Sequence, residues 1–190
     1  MRVARPRLVG EHSGVTGFPD GFSVRRATAA DLGDFGRFSR QTFVETYREF
    51  HSAEKMARHV AERLDDGTLA AELSDPARIV LMLTHGDAWA GYAVLRRDEA
   101  PPEVVARRPV EVERFYVDAQ WHGQRLAAPL MTAALDAARQ GEHDVAWLGV
   151  WERNPRAIRF YEKQGFRIVG HHIYLFDGHP ENDHLMSLAL

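Results

Sequence analysis

Two short segments of this sequence carry residue types at spacings that suit chemistry. The first runs from Val117 to Ala128 and holds His122, Gly123, Gln124, Arg125, Leu126 and Ala127. It joins an apolar, strand-like stretch to an alanine-rich, helix-like one through a turn with a single glycine. A helix start offers N–H groups without intrahelical acceptors and a partial positive charge, which suits a pyrophosphate. Gly123 lets the backbone approach such an anion, and Arg125 can add a bidentate contact. Pro129 falls near the first helical turn, where a missing N–H is tolerated. Many strand-to-helix turns share these features and bind nothing, so the segment alone leaves both readings open.

The second segment is Asn154 to Phe166. Asn154 is a natural N-cap, Pro155 a natural first helical residue and Gly165 a natural residue just past the helix end. A capped helix with an aromatic core face accounts for these residues and for Phe160. It accounts less well for Tyr161, because helix neighbours point ~100° apart and one of the pair can face a cleft. Other residues invite weaker readings. His171, His172, His179 and His184 lack the i,i+4 pairing of a helical metal site, and adjacent strand residues point to opposite faces, so no metal is expected. Glu45, Glu49 and Glu54 suggest an acidic rim for a polycationic substrate, or a solvated face. Trp121 and Trp151 can pack a cation against a ring, or the rim of a core.

The elements that must position these residues follow from periodicity. Phe22–Arg26 alternates as a short strand, and Thr28 with Asp31 has capping-box spacing. Leu32, Phe35, Phe38, Phe43 and Tyr47 recur at helical spacing. Met56, Val60 and Leu64 mark a second helix after a Ser52 cap, which Asp66-Gly67 ends or interrupts. Leu69 and Leu73 mark a third, closed before Pro76. Ile79–Leu83 and Trp89–Leu95 read as an antiparallel hairpin about His85-Gly86-Asp87. A loop follows from Asp98 to Arg108. The stretch Val110–Val117 is a strand whose odd positions Glu111, Glu113, Phe115 and Val117 share a face under plain alternation. Residues 124–140 predict a helix, 145–150 a strand, 154–164 a helix, 166–169 a strand and 185–190 a last strand. The order predicts one mixed α/β sheet with helices on both faces and a parallel strand pair about the central helix.

Composition narrows the field. The chain has 190 residues, 24 Lys and Arg against 27 Asp and Glu, and a formal charge of -3. That balance lacks the basic excess of a dedicated nucleic-acid binder. A hydrophobic share of 45% suits a globular core. With no cysteine, disulfides, thiolate nucleophiles and cysteine-ligated metals are absent. No apolar run reaches the ~18–20 residues that span a bilayer. The start, Met1 to Gly10, has arginines but no apolar signal core. A cytoplasmic protein without nucleic-acid or membrane partners is expected, with residues 1–20 a flexible arm and 21–190 a single domain.

The strand from Glu111 to Val117, followed by His122-Gly-Gln-Arg-Leu-Ala127, and the run from Asn154-Pro155 through Phe160-Tyr161 to Gly165-Phe166 resemble the GCN5-related N-acetyltransferase (GNAT) superfamily over residues 22–190. The first motif departs from the superfamily's usual Gln/Arg-x-x-Gly-x-Gly/Ala loop, with His122 at its start and Arg125 at its first glycine. Gln41–Tyr47 and Leu148–Asn154 are similar to the PaiA-like, polyamine-acetylating branch.

The resemblance implies a mostly antiparallel sheet whose central parallel strands splay to hold acetyl-CoA, with no metal. The pantetheine would pair with the backbone of Phe115, Tyr116 and Val117, and the pyrophosphate would rest on N–H groups from His122 to Ala128. Asn154, Ala157, Tyr161 and Lys163 would wall the other side. Glu111 matches the frequent catalytic glutamate, and Glu113 shares its face, so either is a candidate to take the amine's proton. A Val117 N–H would hold the oxyanion, and Tyr161 would protonate the departing thiolate. The implied reaction is direct acetyl transfer to a small-molecule primary amine such as a polyamine. Transfer to a protein N-terminus or lysine, or acyl-CoA binding without catalysis, are the alternatives. Dimers are common among such domains, so a homodimer is one option, and the residues themselves leave the oligomeric state open.

Overall fold

The computed structural model describes residues 17–97 and 99–190. Most of the arm expected over residues 1–20, and Asp98 of the expected loop, lie outside the described residues. Seven strands form one sheet: β1 (Phe22–Arg26), β2 (Arg78–His85), β3 (Ala88–Arg96), β4 (Pro109–Val117), β5 (Val145–Trp151), β6 (Arg167–Phe176) and β7 (His179–Ala189). Their order is β1-β2-β3-β4-β5-β7-β6. Every neighbouring pair is antiparallel except β4 and β5. Five α-helices accompany them: α1 (Leu32–Tyr47), α2 (Ala53–Arg63), α3 (Asp66–Ser74), α4 (Ala127–Gln140) and α5 (Pro155–Lys163).

The helices divide between the two faces of the sheet, as the sequence predicts. On one side Phe35, Phe38 and Phe43 of α1, Met56 of α2 and Leu69 of α3 pack on Val80, Met82, Tyr92 and Val94. On the other, Met131, Ala134 and Leu135 of α4 pack on Leu81, Ala93, Leu95, Val110 and Val112, with Phe160 of α5 alongside. These are called the α1 face and the α4 face below. Because β2 and β3 are covered on both sides, their apolar runs are continuous rather than alternating. Phe18 joins Leu83, Ala90, Leu126 and Leu130 in a smaller cluster, so the chain is already packed within the stretch expected to be an arm.

Local chemistry explains the boundaries. Thr28 and Asp31 form their capping box around a single 3-10 turn that leads into α1. Ser52 accepts the Lys55 N–H to start α2. Asp65 accepts the Gly67 and Thr68 N–H groups, so Asp66-Gly67 opens α3 rather than merely ending α2.

Three differences from the sequence reading bear on function. First, α4 begins at Ala127, leaving His122–Leu126 as a turn. Second, β6 and β7 continue far past the expected short strands as a ribbon closed by Asp177-Gly178. Both turn residues have positive φ, 50° and 73°, and Phe176 pairs with His179. That is the two-residue hairpin turn for which Asp-Gly is favoured. Third, β4 carries a bulge. Val94 pairs with Arg114 and Leu95 with Val112, which leaves Glu113 as the extra residue. Val110 and Val112 therefore face α4, whereas Tyr116 joins the α1-face cluster and Arg114 lies over Phe35 of α1. The plain alternation expected along β4 fails at that point. Phe115 turns to the α4 face, away from the glutamates.

Candidate active site

The parallel pair is short. Pro109, Val110 and Glu111 lie opposite Val145, Ala146 and Trp147, and the register ends there. Beyond it, β4 stays with β3 as far as Val117, and β5 stays with β7 as far as Trp151. Each strand follows its antiparallel neighbour, so a gap opens between them with unpaired backbone along both edges. An extended amide chain can pair with such an edge.

At the end of β4 the turn toward α4 is wound for an anion. Gly123 and Arg125 both have positive φ, 86° and 59°. The N–H groups of Gly123, Arg125, Leu126, Ala127 and Ala128 have no acceptor among the described residues. Successive N–H groups in such a conformation form a concave cradle for phosphate oxygens. Leu126 is buried and anchors the turn, and the Arg125 and Gln124 side chains are exposed. The His122 Nε2–H donates to the Val117 carbonyl at 3.0 Å and ties the turn to the strand. Arg125 thus keeps the backbone shape of a glycine and adds an outward cation. A Cβ on Gly123 would meet nothing within 4 Å, so glycine there serves the positive φ rather than the fold's packing. The turn suits a diphosphate.

The α5 segment lines the gap on the α4 face. Asn154 Oδ1 accepts the Ala157 N–H at 3.1 Å, so capping occupies that oxygen. Phe160 stacks on Phe115 with ring centroids 5.5 Å apart. Tyr161 meets Phe115 and Phe166 edge-on, at 6.4 and 5.9 Å. Its hydroxyl has no hydrogen-bond partner among the described residues. Burial first, then the nearby Tyr47 hydroxyl, push its pKa well above that of an ordinary phenol. A phenol so placed holds its proton until a stronger base arrives. Lys163 is exposed in the last turn of the helix.

The two glutamates lie elsewhere. Glu111 accepts from Arg96 Nη2 and Nε at 2.6 and 3.0 Å. Glu113 pairs with Arg78, and Glu72 pairs with Arg114, whose guanidinium lies 5.7 Å from the centre of the Phe35 ring. Arg78 also lies 3.8 Å from Glu72 and 3.4 Å from Asp75. This network occupies the α1 face at the closed end of the strand pair. A carboxylate held by a guanidinium has its oxygens already engaged in charge-assisted hydrogen bonds. The structure joins Tyr161 to Phe115 but not to either glutamate. Tyr116 also parts from Phe115, stacking on Tyr92 at 5.4 Å on the α1 face.

The α1 face of the gap holds residues that the sequence reading did not single out. In the ribbon, Asp183 lies opposite both Trp151 of β5 and His172 of β6. Burial, then Glu181 and Glu152, push Asp183 up to about 6. Its carboxylate has neither a hydrogen bond nor an ion pair among the described residues. Trp151 Nε1 donates to Glu181 at 3.0 Å, and its ring meets Tyr47, Phe50 and His51. Burial pushes Tyr47 up to about 12, and its hydroxyl interacts with that of Tyr116. Of the expected acidic rim, Glu45 accepts from Gln41 and Glu54 pairs with Arg58, both on exposed surface. Trp121 packs on Phe22 and His85, away from the gap. His171 and His184 contact each other, Nδ1 to Nδ1 at 3.1 Å. No three metal-ligating side chains gather among the described residues.

This architecture recurs among solved N-acetyltransferases. The fold matches a PaiA N-acetyltransferase from Thermoplasma acidophilum in complex with coenzyme A, with a TM-score of 0.69 and 18% identity, over 89% of this chain and 99% of that one. It also matches a spermidine N-acetyltransferase from Vibrio cholerae in complex with CoA and spermine, with a TM-score of 0.62 and 17% identity, over 90% and 96%. At the sequence level, an uncharacterized N-acetyltransferase of Mycobacterium tuberculosis is 33% identical over 160 residues, covering 84% of this chain and 98% of that protein. A further uncharacterized N-acetyltransferase, from Lactobacillus delbrueckii subsp. lactis, is 29% identical over 170 residues, 90% and 98% of the two chains. The model of the acetyltransferase (GNAT) family matches residues 40–166. The chain belongs to that family and is an acetyl-CoA-dependent acetyltransferase. Among the described residues, no helix is long and apolar enough to cross a membrane.

Proposed function

We propose that this acetyltransferase acts on the primary amine of a small molecule, polyamines foremost, by direct attack while both substrates are bound. One observation carries the reading: carboxylates and aromatic rings come together on the α1 face of the strand gap. Asp183 and Glu181 can receive ammonium groups, while Trp151, Tyr47 and Tyr174 can pack the carbon chain between them. The fold's similarity to a PaiA enzyme and to a spermidine N-acetyltransferase supports the same class.

In this reading acetyl-CoA supplies the activated acetyl group from the α4 face. The backbone of Phe115 and Val117 pairs with its pantetheine amides, and the N–H groups from Gly123 to Ala128 receive its diphosphate, with Arg125 alongside. The Asn154 side-chain N–H₂, left over from capping, can donate to the same chain. The Val117 N–H holds the developing oxyanion, and Tyr161 gives its proton to the departing thiolate. Proton transfer of this kind contributes about 10²–10⁴ in rate, and holding the two reactants together contributes more.

A thiol-release assay with acetyl-CoA tests the reading, using a panel of diamines, polyamines, monoamines and short peptides. Turnover of small amines well above that of peptide N-termini is expected. Preference for peptides, or acetyl-CoA binding without thiol release for any amine, overturns it. Binding itself is read by thermal shift, where ligand at 100 times its Kd adds about 2.7 kcal/mol.

A further inference from the structure

We propose that Asp183 receives the substrate's ammonium group and takes its proton, a role that rests on the amine-acetylation reading above. The substitution of this residue for Glu111 and Glu113 follows from their partners. Both glutamates are engaged by guanidinium groups, Glu111 by Arg96 and Glu113 by Arg78. Asp183 has no cation beside it, which leaves room for one to arrive.

Its position matches the task. Gly149 of β5 lies two residues past Trp147, the last residue of the parallel pair, where the strands have begun to part. Gly149 lies opposite Leu185 in the register, on the same face as Trp151 and Asp183. A Cβ on Gly149 would lie 3.3 Å from Asp183 Oδ2 and 2.8 Å from His172 Cε1. The absent side chain thus makes room for the His172 ring and lets the Asp183 carboxylate lie close to the β5 backbone where the strands part. The buried His172 Nδ1 there has no hydrogen-bond partner among the described residues. Tyr47 lies near both Asp183 and Tyr161.

The groups facing Asp183 are Glu181 on its own strand, Glu152 just after β5, His172 and Tyr174 on β6, and Tyr47 on α1. None is a permanent cation. Burial and the two glutamates hold its pKa at about 6, which suits proton transfer near neutral pH better than an ordinary aspartate. In the step itself, Asp183 takes one proton from the ammonium. The freed lone pair forms the N–C bond to the acetyl carbon, and the C–S bond breaks with its electron pair on sulfur. Tyr161 protonates the thiolate and is restored by the second proton shed from nitrogen. Asp183 returns its own proton to solvent.

The test compares wild type with Asp183→Asn, Glu111→Gln and Glu113→Gln, using 1,4-diaminobutane and acetyl-CoA from pH 5 to 9. Wild-type kcat/KM should rise with a break near pH 6. Asp183→Asn should lose that break and about 10²-fold or more of kcat/KM, while the two glutamine variants keep the break. Calorimetry with CoA bound should find 1,4-diaminobutane at least tenfold weaker in Asp183→Asn, with CoA affinity unaltered, which separates the role from misfolding. An active Asp183→Asn enzyme within threefold of wild type, or one that keeps the break, overturns the assignment and leaves amine acetylation standing. A wild-type enzyme inert toward every amine overturns both.

Discussion

Glu111 and Trp147 form the last paired rung between β4 and β5, and past them the strands part. Everything proposed for catalysis lies beyond that rung, and the arginine–glutamate network packs around it. The closed end is braced by ion pairs, and the open end keeps polar groups without partners. The predictions below probe the open end.

Replacing Tyr161 by Phe removes a hydroxyl without disturbing the packing of its ring on Phe115 and Phe166. A fall in kcat of about 10²-fold is expected, with acetyl-CoA affinity nearly intact. Steady-state thiol release with a binding titration checks both. An unchanged kcat would remove the phenol from the acid role.

Arg125 adopts a φ of 59° that side chains rarely take. Arg125→Gly relieves about 1 kcal/mol of backbone strain and adds a comparable entropy cost, so Tm should move little. Loss of the guanidinium should weaken CoA binding severalfold and flatten its salt dependence. Calorimetry at two salt concentrations measures this. Tighter binding in the glycine variant would mean that the side chain obstructs the diphosphate.

Asp183 makes a pH-dependent contribution to stability. Its folded pKa, about 6, lies above its ordinary 3.8, so the folded state holds that proton more tightly. The group's cost is absent below about pH 4, grows as pH rises and is complete above about pH 6. Asp183→Asn should therefore be more stable than wild type at pH 7 by about 1–2 kcal/mol, a figure reduced because the carboxylate is partly wetted. The difference should vanish toward pH 4. Urea unfolding at the two pH values reads it, and a destabilised variant would contradict it.

Gly149→Ala crowds Asp183 and forces His172 to shift, since its Cε1 lies 2.8 Å from the new carbon. The KM for the amine should rise about tenfold while CoA affinity holds. Equal losses for both substrates would place this part of β5 on the cofactor path instead.

The fold was legible because its signals are local. Continuous apolar runs in β2 and β3, helical spacing in α1, and the Ser52 and Asn154 caps each follow from neighbouring residues. The packing of Tyr161 beside Phe115 was legible through the Phe160-Tyr161 pair, while its catalytic role is a proposal. The grouping of carboxylates and rings on the α1 face was not, because it is assembled by the ribbon. His171, His172, Asn182 and Asp183 carry no apolar alternation, so 171–183 gave no strand pattern. The Asp177-Gly178 turn was nonetheless a hairpin signal in plain view. Nor could alternation place Glu111 and Glu113 relative to Phe115, because one unpaired residue in β4 breaks the count.

That surplus residue has a consequence for how the two substrates are kept apart. Were Glu113 paired in the ladder instead of bulged out of it, the period of two would carry on, and Phe115 would turn toward α1 while Arg114 and Tyr116 turned toward α4. The nucleotide's entrance would then receive a cation and a phenol, and the amine's entrance would receive a phenyl ring. Deleting Glu113 should therefore leave both doorways in place, because Val112, Arg114 and Phe115 then alternate in a plain ladder; it is the bulge that lets a strand one residue longer keep the same two entrances.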